Sequence, residues 1–476
     1  MPESVAGLVL IPLTWAGLAF ALGPGRGGRA ALAGLVVQGG LALQLAMAVN
    51  DRRSAHVAAG GWDAPLGIEL AVDGLSATML LLTQLIGLSL VIYARAYFGA
   101  ADPERRYFWP LVGLLIAGLN ALFITADLFN AYVTLEIVGL AAVGLVGAGG
   151  EAQRVGAALR YLFATLLGSA FYLLGVALMY GAYGTVSFSS LAPLLTAEMS
   201  VAVLMAGGLM LAGLMIKSAL LPFHGWLPPA HGSASTPVSA LLSALVVKAA
   251  FYLILRLWLD LFAAQGAPLA WLPALLGACA VLWGSWRAIT AVRLKMLVAY
   301  STVAQLGYLF LVFPLLAGAA AMQAVVMQIV AHGLAKAAMF AAAGVLVSAS
   351  RQDRVAGLQG MAHHLPLTIA AFALAGVTLM GLPPSAGFLA KWLLIQSAFA
   401  AGQWGIVAVV LAGGLLAAVY VFRVLRQALM EAPTARPISP VPRTLEWVAF
   451  ALAGASVLLG FRAGDLLGLL TPGVPG

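Results

Sequence analysis

The stretch LAGLMIKSALLPFHGWLPPAHGS, residues 211–233, decides how this chain is read. An apolar run carries a lysine, Lys217, and five residues later Pro222 interrupts the helix that the run would form. Proline removes a helical hydrogen bond and clashes with the preceding turn. In a membrane, broken helices occur only where protein or a water-lined cavity satisfies the freed backbone groups. The pairing of a charge with a breaker therefore points to a polar place inside an apolar body.

Composition makes the apolar body a membrane protein. Of 476 residues, 63% are hydrophobic and 8% are charged. A soluble domain has about 25% charged residues, so this chain could not cover a soluble surface. A bilayer crossing takes about 20 apolar residues. Apolar windows fall at 5–22, 30–49, 73–94, 108–126, 128–149, 160–182, 201–221, 236–259, 269–289, 296–316, 320–348, 366–400 (interrupted), 404–422 and 445–470, which makes about fourteen. The N-terminal stretch lacks the positive region of a signal peptide and reads as the first span. The expected fold is an all-α polytopic membrane protein, a single transmembrane unit over 1–476.

The charges give the windows an orientation. The odd-numbered connections hold Arg26, Arg29, Arg95, Arg105, Arg106, Arg154, Arg160, Arg287, Arg293, Lys295, Arg351, Arg354, Arg423, Arg426, Arg436 and Arg443. The even-numbered ones hold only Arg52, Arg53 and Arg256 as cations, beside Asp51, Asp63, Glu69, Asp127, Glu198 and Asp260. Cytoplasmic loops carry the excess of Lys and Arg. Odd connections are thus expected in the cytoplasm and both termini on the opposite side. The same rule accounts for the formal net charge of +8 without any nucleic acid.

The lysines behave differently. Of nineteen arginines and five lysines, every arginine lies in or near a loop, and Lys217, Lys248, Lys336 and Lys391 lie inside apolar windows. Arginine keeps its proton, whereas a buried lysine shifts its pKa readily. The loops carry fixed charge and the interior carries titratable charge. Glu136 is the carboxylate that lies well inside a window, with Asp73 at the start of another. An unpaired charge at such depth costs at least ~2.5–3.5 kcal/mol. Pairing Glu136 with Lys217 would neutralise both. His332 and Lys336 in AHGLAKAAMF are four apart, on one helical face, with Gln328 one turn before. That face offers too few ligands for a metal. Asp73, Asp127, His224 and Gln328 are accessory candidates.

A second break, at Pro383 and Pro384 in MGLPPSAGFLAKW, precedes Lys391 five windows after the first. Interrupted segments at corresponding places of two halves point to inverted repeats, here expected over 108–262 and 269–428 with flanking helices at 1–98 and 445–470. The motif GPGRGG at 23–28 fits a dinucleotide loop, but no strand precedes it, and it reads as a connection between spans. No phosphate-binding P-loop occurs, and the single cysteine, Cys279, cannot hold a cluster. No cofactor is expected.

At DLFNAYVTLEI, KSALLPFHGWLPPAHGSASTPVSALLSALVVKAAFY, RLKMLVAYSTVAQLGYL, HGLAKAAMF and GLPPSAGFLAK the chain resembles the antiporter-like subunits shared by respiratory complex I, membrane-bound hydrogenases and Mrp-type sodium/proton antiporters. Within that family the first two stretches are most similar to the Mrp D subunit. The resemblance implies fourteen helices, an inverted repeat of five and a hydrated polar axis at mid-membrane. It places Glu136 and Lys217 as the pair of the fifth and seventh helices, Lys248 as the bridging lysine, His332 on the eleventh helix and Lys391 as the terminal lysine. The expected function is proton translocation within a multi-subunit complex of the bacterial or archaeal cytoplasmic membrane, with sodium as a candidate exchange ion and antiporter-like and small membrane subunits as partners. Two alternatives stand beside it: a proton-pumping subunit of complex I or a hydrogenase, and a non-pumping scaffold for a redox or carbon-uptake partner.

Overall fold

The computed structural model describes residues 2–52, 54–64, 66–195, 200–262, 269–432 and 438–470. Arg53, Glu198 and Arg436, counted among the loop charges above, lie outside the described residues. The protein is a polytopic helical membrane protein. Among the described residues, ten helices are long and apolar enough to cross a membrane, and three more apolar helices are shorter.

The chain opens with α1, Pro2–Arg52, which is two helices joined at Gly23 (φ 75°, ψ 176°). The GPGRGG segment read as a loop is thus a one-residue break. Glycine accepts the positive φ, and Pro24 restarts the helix at its first position. The two arms fold back on each other, with Gly34 under the ring of Trp15 and Gly7 under Leu41. After α1 comes a departure from the all-α expectation. Strands β1, Ala55–Ala58, and β2, Glu69–Val72, pair antiparallel with Ala55 opposite Val72. The connections before and after the next helices stitch onto this hairpin: Ala126 N–H donates to Glu69 O at 3.0 Å and Phe188 N–H to Ala126 O at 2.9 Å. The Glu69 carboxylate receives His56 at 2.8 Å, Ser187 at 3.0 Å and Ser189 at 2.6 Å. Burial alone would raise its pKa, but these hydrogen bonds outweigh it and hold the carboxyl below its ordinary 4.5.

Helices α2 (Gly74–Tyr97), α3 (Glu104–Ile124), α4 (Leu128–Gly147), α5 (Ala152–Tyr183) and α6 (Val201–Lys217) follow. Asp73 caps α2 by accepting Ser76 N–H, and Asp127 caps α4 by accepting Asn130 N–H at 2.6 Å. Helix α5 begins eight residues before its apolar window, and Arg154 on its first turn pairs with Glu104 at 2.5 Å. Helix α6 stops at Lys217. A turn over 218–226 and a short helix, Leu227–Ser233, complete that segment. The rest comprises α7 (Thr236–Phe262), α8 (Trp271–Thr290), α9 (Leu294–Phe310), α10 (Ala319–Ser350), α11 (Pro366–Met380), α12 (Ala386–Ala400), α13 (Trp404–Leu429) and α14 (Arg443–Leu458).

Two of these helices form the centre. The most apolar stretches of α7 and α10 are 100% buried, against 33% for α13. Lys248 lies on α7, and His332 and Lys336 on α10, so these three sit in the most enclosed part of the molecule. Outer helices instead expose Phe163, Leu167, Leu415 and Phe422, which suits contact with lipid or with neighbouring membrane subunits.

Candidate functional site

Helices α4, α5 and α6 meet on glycines. A Cβ on Gly213 would lie 2.3 Å from Gly168 O, and one on Gly139 would lie 2.8 Å from Thr165 Oγ1. Small residues let membrane helices approach this closely. One turn beyond Gly213, Lys217 reaches Glu136 Oε1 at 3.1 Å and Thr165 Oγ1 at 2.9 Å. Ser169 Oγ donates to the same carboxylate oxygen. The Lys217 side chain is 6% exposed and that of Glu136 18%. The pair is therefore enclosed on the lysine side and nearer the surface on the carboxylate side.

The other three interior lysines have carbonyl partners, and in two cases an irregular backbone supplies them. In α7 the residues Leu242–Val246 form a π-turn, and Val247 N–H bonds back to Leu242 O. The carbonyl of Ser243, inside this π-turn, accepts Lys248 Nζ at 2.8 Å. Single π-turns of this kind recur at functional sites. Lys391 on α12 reaches across the second break and donates to Leu379 O at 2.6 Å and Met380 O at 3.1 Å, the carbonyls left free at the end of α11. Its ammonium also lies 4.5 Å from the centre of the Tyr308 ring, within cation–π range. Lys336 on α10 donates to Val298 O at 2.6 Å and Ser301 Oγ at 2.7 Å, both on α9.

Polar side chains on α9 join these lysines into a row. Ser243 Oγ lies 2.9 Å from Thr302 Oγ1, which donates to Val298 O, the oxygen that also holds Lys336. One turn after Ser301, Gln305 donates to Leu379 O at 3.0 Å, the oxygen that holds Lys391. Gln328 of α10 donates to Gln305 Oε1 at 3.2 Å. Gln328, Tyr308 and Lys391 line a cavity of about 10 Å³, roughly the room that one water needs. From Lys248 to Lys391 the spacing between neighbouring polar groups is one hydrogen bond or one helical turn. Between Lys217 and Lys248 no direct hydrogen bond connects the two parts among the described residues.

The remaining candidates fall on both sides of this row. His332 is 1% exposed and neither ring nitrogen has a protein partner; it lies one turn from both Gln328 and Lys336. Pro222 lies in the first break and Pro383 and Pro384 in the second. His224 sits half-buried in the turn Phe223–Trp226. Asp127 serves as a helix cap. Asp73 is both a cap and the partner of Arg256, described below. Sequence reading missed Thr165, Ser169, Ser243, Ser301, Thr302, Gln305 and Tyr308. A signal was present in STVAQLGY, where Ser301, Gln305 and Tyr308 are three to four residues apart in an otherwise apolar span.

A membrane bundle with broken helices, an interior ion pair and a row of buried lysines defines a class, that of antiporter-like membrane proteins. The family model described as NADH:quinone oxidoreductase/Mrp antiporter, TM, matches residues 125–417, and one described as NADH-ubiquinone oxidoreductase (complex I), chain 5 N-terminus, matches 59–109. The chain belongs to this NADH:quinone oxidoreductase/Mrp antiporter family. It is 38% identical to the N subunit of the NADH-quinone oxidoreductase of Desulforudis audaxviator, over 80% of this chain and 77% of that one. It is 28% identical to the D subunit of the Na(+)/H(+) antiporter of Bacillus subtilis, over 84% and 82%. Among solved structures, a chain of the Mrp complex from Dietzia sp. superimposes with a TM-score of 0.90 at 28% identity, covering 98% of this chain and 96% of that one. A chain of respiratory complex I from Thermus thermophilus gives 0.78 at 30% identity, covering 98% of each. Every interior lysine, Glu136 and His332 lie within the matched residues 125–417.

Proposed function

We propose that this chain is a proton-translocating subunit of a multi-subunit complex in the cytoplasmic membrane of a bacterium or archaeon, and that Glu136, Lys217, Lys248, His332, Lys336 and Lys391 are its relay. The observation that carries the reading is the row of hydrogen-bonding groups from Lys248 through Ser243, Thr302, Lys336, Ser301 and Gln305 to Lys391. Structural charge pairing would need neither interior lysines without carboxylates nor hydroxyl and amide side chains between them. Lysine can release and regain a proton where arginine cannot. The Glu136–Lys217 pair biases where the proton sits: the pair is neutral when both are ionised, turns net negative when Lys217 gives its proton away, and turns net positive when Glu136 takes one.

In this reading the chain crosses the bilayer fourteen times. The two arms of α1 count as two crossings, and each broken segment counts as one. The repeats are 108–262 and 269–428, inverted with respect to each other, and both termini face away from the cytoplasm. Charge distribution supports that sidedness. The 28% identity to the D subunit of a Na(+)/H(+) antiporter, together with the similarity in shape to an Mrp chain, TM-score 0.90, supports cation/proton exchange with sodium as the exchanged ion. The identity of 38% to a component of a quinone oxidoreductase supports a second reading, proton pumping driven by a redox partner.

Both are tested by purifying the tagged chain with its native partners and reconstituting the complex in vesicles. Sodium-dependent decay of an imposed pH gradient supports exchange. Acidification that requires quinone reduction supports the second reading. An assembled complex that moves no protons under either condition would leave only the scaffold role.

A further inference from the structure

Helix α7 carries Lys248, Tyr252, Arg256 and Asp260 at intervals of four residues. Side chains so spaced stack on one face, with Cβ atoms about 5–6 Å apart. The face starts at the fully buried Lys248 and ends at a cavity of about 260 Å³ lined by Asn50, Asp73, Arg256, Asp260 and Leu469. Tyr252, 1% exposed, donates its hydroxyl proton to Phe123 O at 2.7 Å and accepts Arg256 Nε at 2.9 Å. The same hydroxyl lies 3.2 Å from Ser76 Oγ, which donates to Asp73 Oδ1 at 3.0 Å. Arg256 clamps that carboxylate with both terminal nitrogens, at 2.6 and 2.5 Å, while Asp260 waits 4.0 Å from the guanidinium. A cap for α2 needs only a side-chain oxygen at position 73. It does not explain a hydroxyl pair leading inward or a second carboxylate on the same arginine.

We propose that this face is the proton's route between Lys248 and the side of the membrane that bears the β1–β2 hairpin, with the Asp73–Arg256 pair as its gate. The proposal rests on the relay reading above. For transfer, Lys248 Nζ swings from Ser243 O toward Tyr252, one helical turn away on the same face, and the Tyr252 hydroxyl turns from Phe123 O to Ser76 Oγ. Oη then takes the Lys248 proton as it passes its own to Ser76 Oγ, and Ser76 passes its proton to Asp73. The net change is one proton from Lys248 to Asp73, with every hydroxyl restored. Neutral Asp73 releases the guanidinium, which turns to Asp260. The Asp73 proton then leaves to water in the cavity and the clamp re-forms.

The test uses the reconstituted native complex and proton flux per assembled complex. Tyr252→Phe keeps the ring against Phe123 and removes only the hydroxyl. Asp73→Asn keeps the helix cap, since Asn caps as well as Asp, and removes the titrating group. Both variants are expected to lose flux on the order of a hundredfold, the size typical of a lost proton-transfer group, and Asp73→Glu to recover part of it. Lys391→Ala is measured alongside. If Tyr252→Phe and Asp73→Asn keep wild-type flux while Lys391→Ala abolishes it, the gate is wrong and the relay stands. If all three keep full flux, the relay reading falls and the gate with it. Should Tyr252→Phe fail to assemble, the Asp73→Asn and Asp73→Glu pair decides.

Discussion

Lys391 Nζ donates to the carbonyl of Leu379, twelve residues earlier, at 2.6 Å across the break between α11 and α12. The break therefore does more than admit polar backbone beside a charge. It supplies the oxygen that holds the charge, and no carboxylate is needed. The first break differs. There Lys217 is the last residue of its helix, and the Ile216 carbonyl is occupied by the Trp226 indole N–H at 3.0 Å and Ala219 N–H at 3.1 Å. Lys217 turns instead to Glu136. The two breaks share a device, a lysine beside an interrupted helix, but one lysine meets a carboxylate and the other meets carbonyls.

Glu136→Gln should separate charge from hydrogen bonding. Glutamine can still meet Ser169 and Lys217, so yield is expected to stay near wild type. Coupled flux should fall by about tenfold or more, because the negative charge beside Lys217 is gone. Flux equal to wild type at normal yield would remove Glu136 from the mechanism.

Gly381 has φ 80°, and a Cβ there would lie 2.6 Å from Lys391 Cδ. Gly381→Ala meets both a left-handed backbone, about 1–2 kcal/mol, and a displaced lysine. The expected outcome is a lower thermal midpoint in detergent together with loss of flux. A variant with unchanged midpoint and flux would show that the lysine does not depend on this geometry.

Gln305 joins the lysine row to the second break. Gln305→Leu fills the same space and removes both side-chain bonds, leaving Leu379 O to Lys391 alone and Gln328 to the backbone carbonyl of residue 305 at 3.4 Å. Each lost bond costs about 0.5–1.5 kcal/mol. Flux should drop at least about tenfold relative to assembled protein, the factor that corresponds to 1.4 kcal/mol. Retained flux would mean that protons bypass α9.

Glu69 anchors the hairpin from outside the membrane-spanning segments. Its folded pKa lies below the ordinary 4.5, so its contribution to stability is present above that value and is lost as pH falls through the folded value. The difference in thermal midpoint between wild type and Glu69→Gln should be full at neutral pH and close on acidification. A difference independent of pH would mean that charge plays no part there.

The sequence revealed a polytopic helical membrane protein and its interior ionisable residues because apolar length and charge depth are local properties. Lys217, Lys248, Lys336 and Lys391 stand out in any apolar window. Their partners do not. Ser243 matters through a carbonyl in a π-turn, and Leu379 through a carbonyl at a break; neither carbonyl is written in its side chain. The hairpin over 55–72 was missed because four-residue strands give little alternation, and its pairing with the segments at 126 and 186–188 is non-local. Arg256 read as a loop charge because it lies near the end of α7; its buried role needs Asp73, which is 183 residues away.

The central claim is that the interior lysines act by exchanging protons. Lys391 tests it most directly, since its partners are carbonyls that either lysine or arginine could satisfy. Proton flux and complex yield are measured in vesicles for Lys391→Arg and Lys391→Ala. Arginine keeps the positive charge but does not release its proton, so the account predicts an assembled Lys391→Arg complex with little or no flux, and Lys391→Ala equally inactive. Full flux in Lys391→Arg, with Lys391→Ala failing to assemble, would show a fixed structural charge and contradict the account.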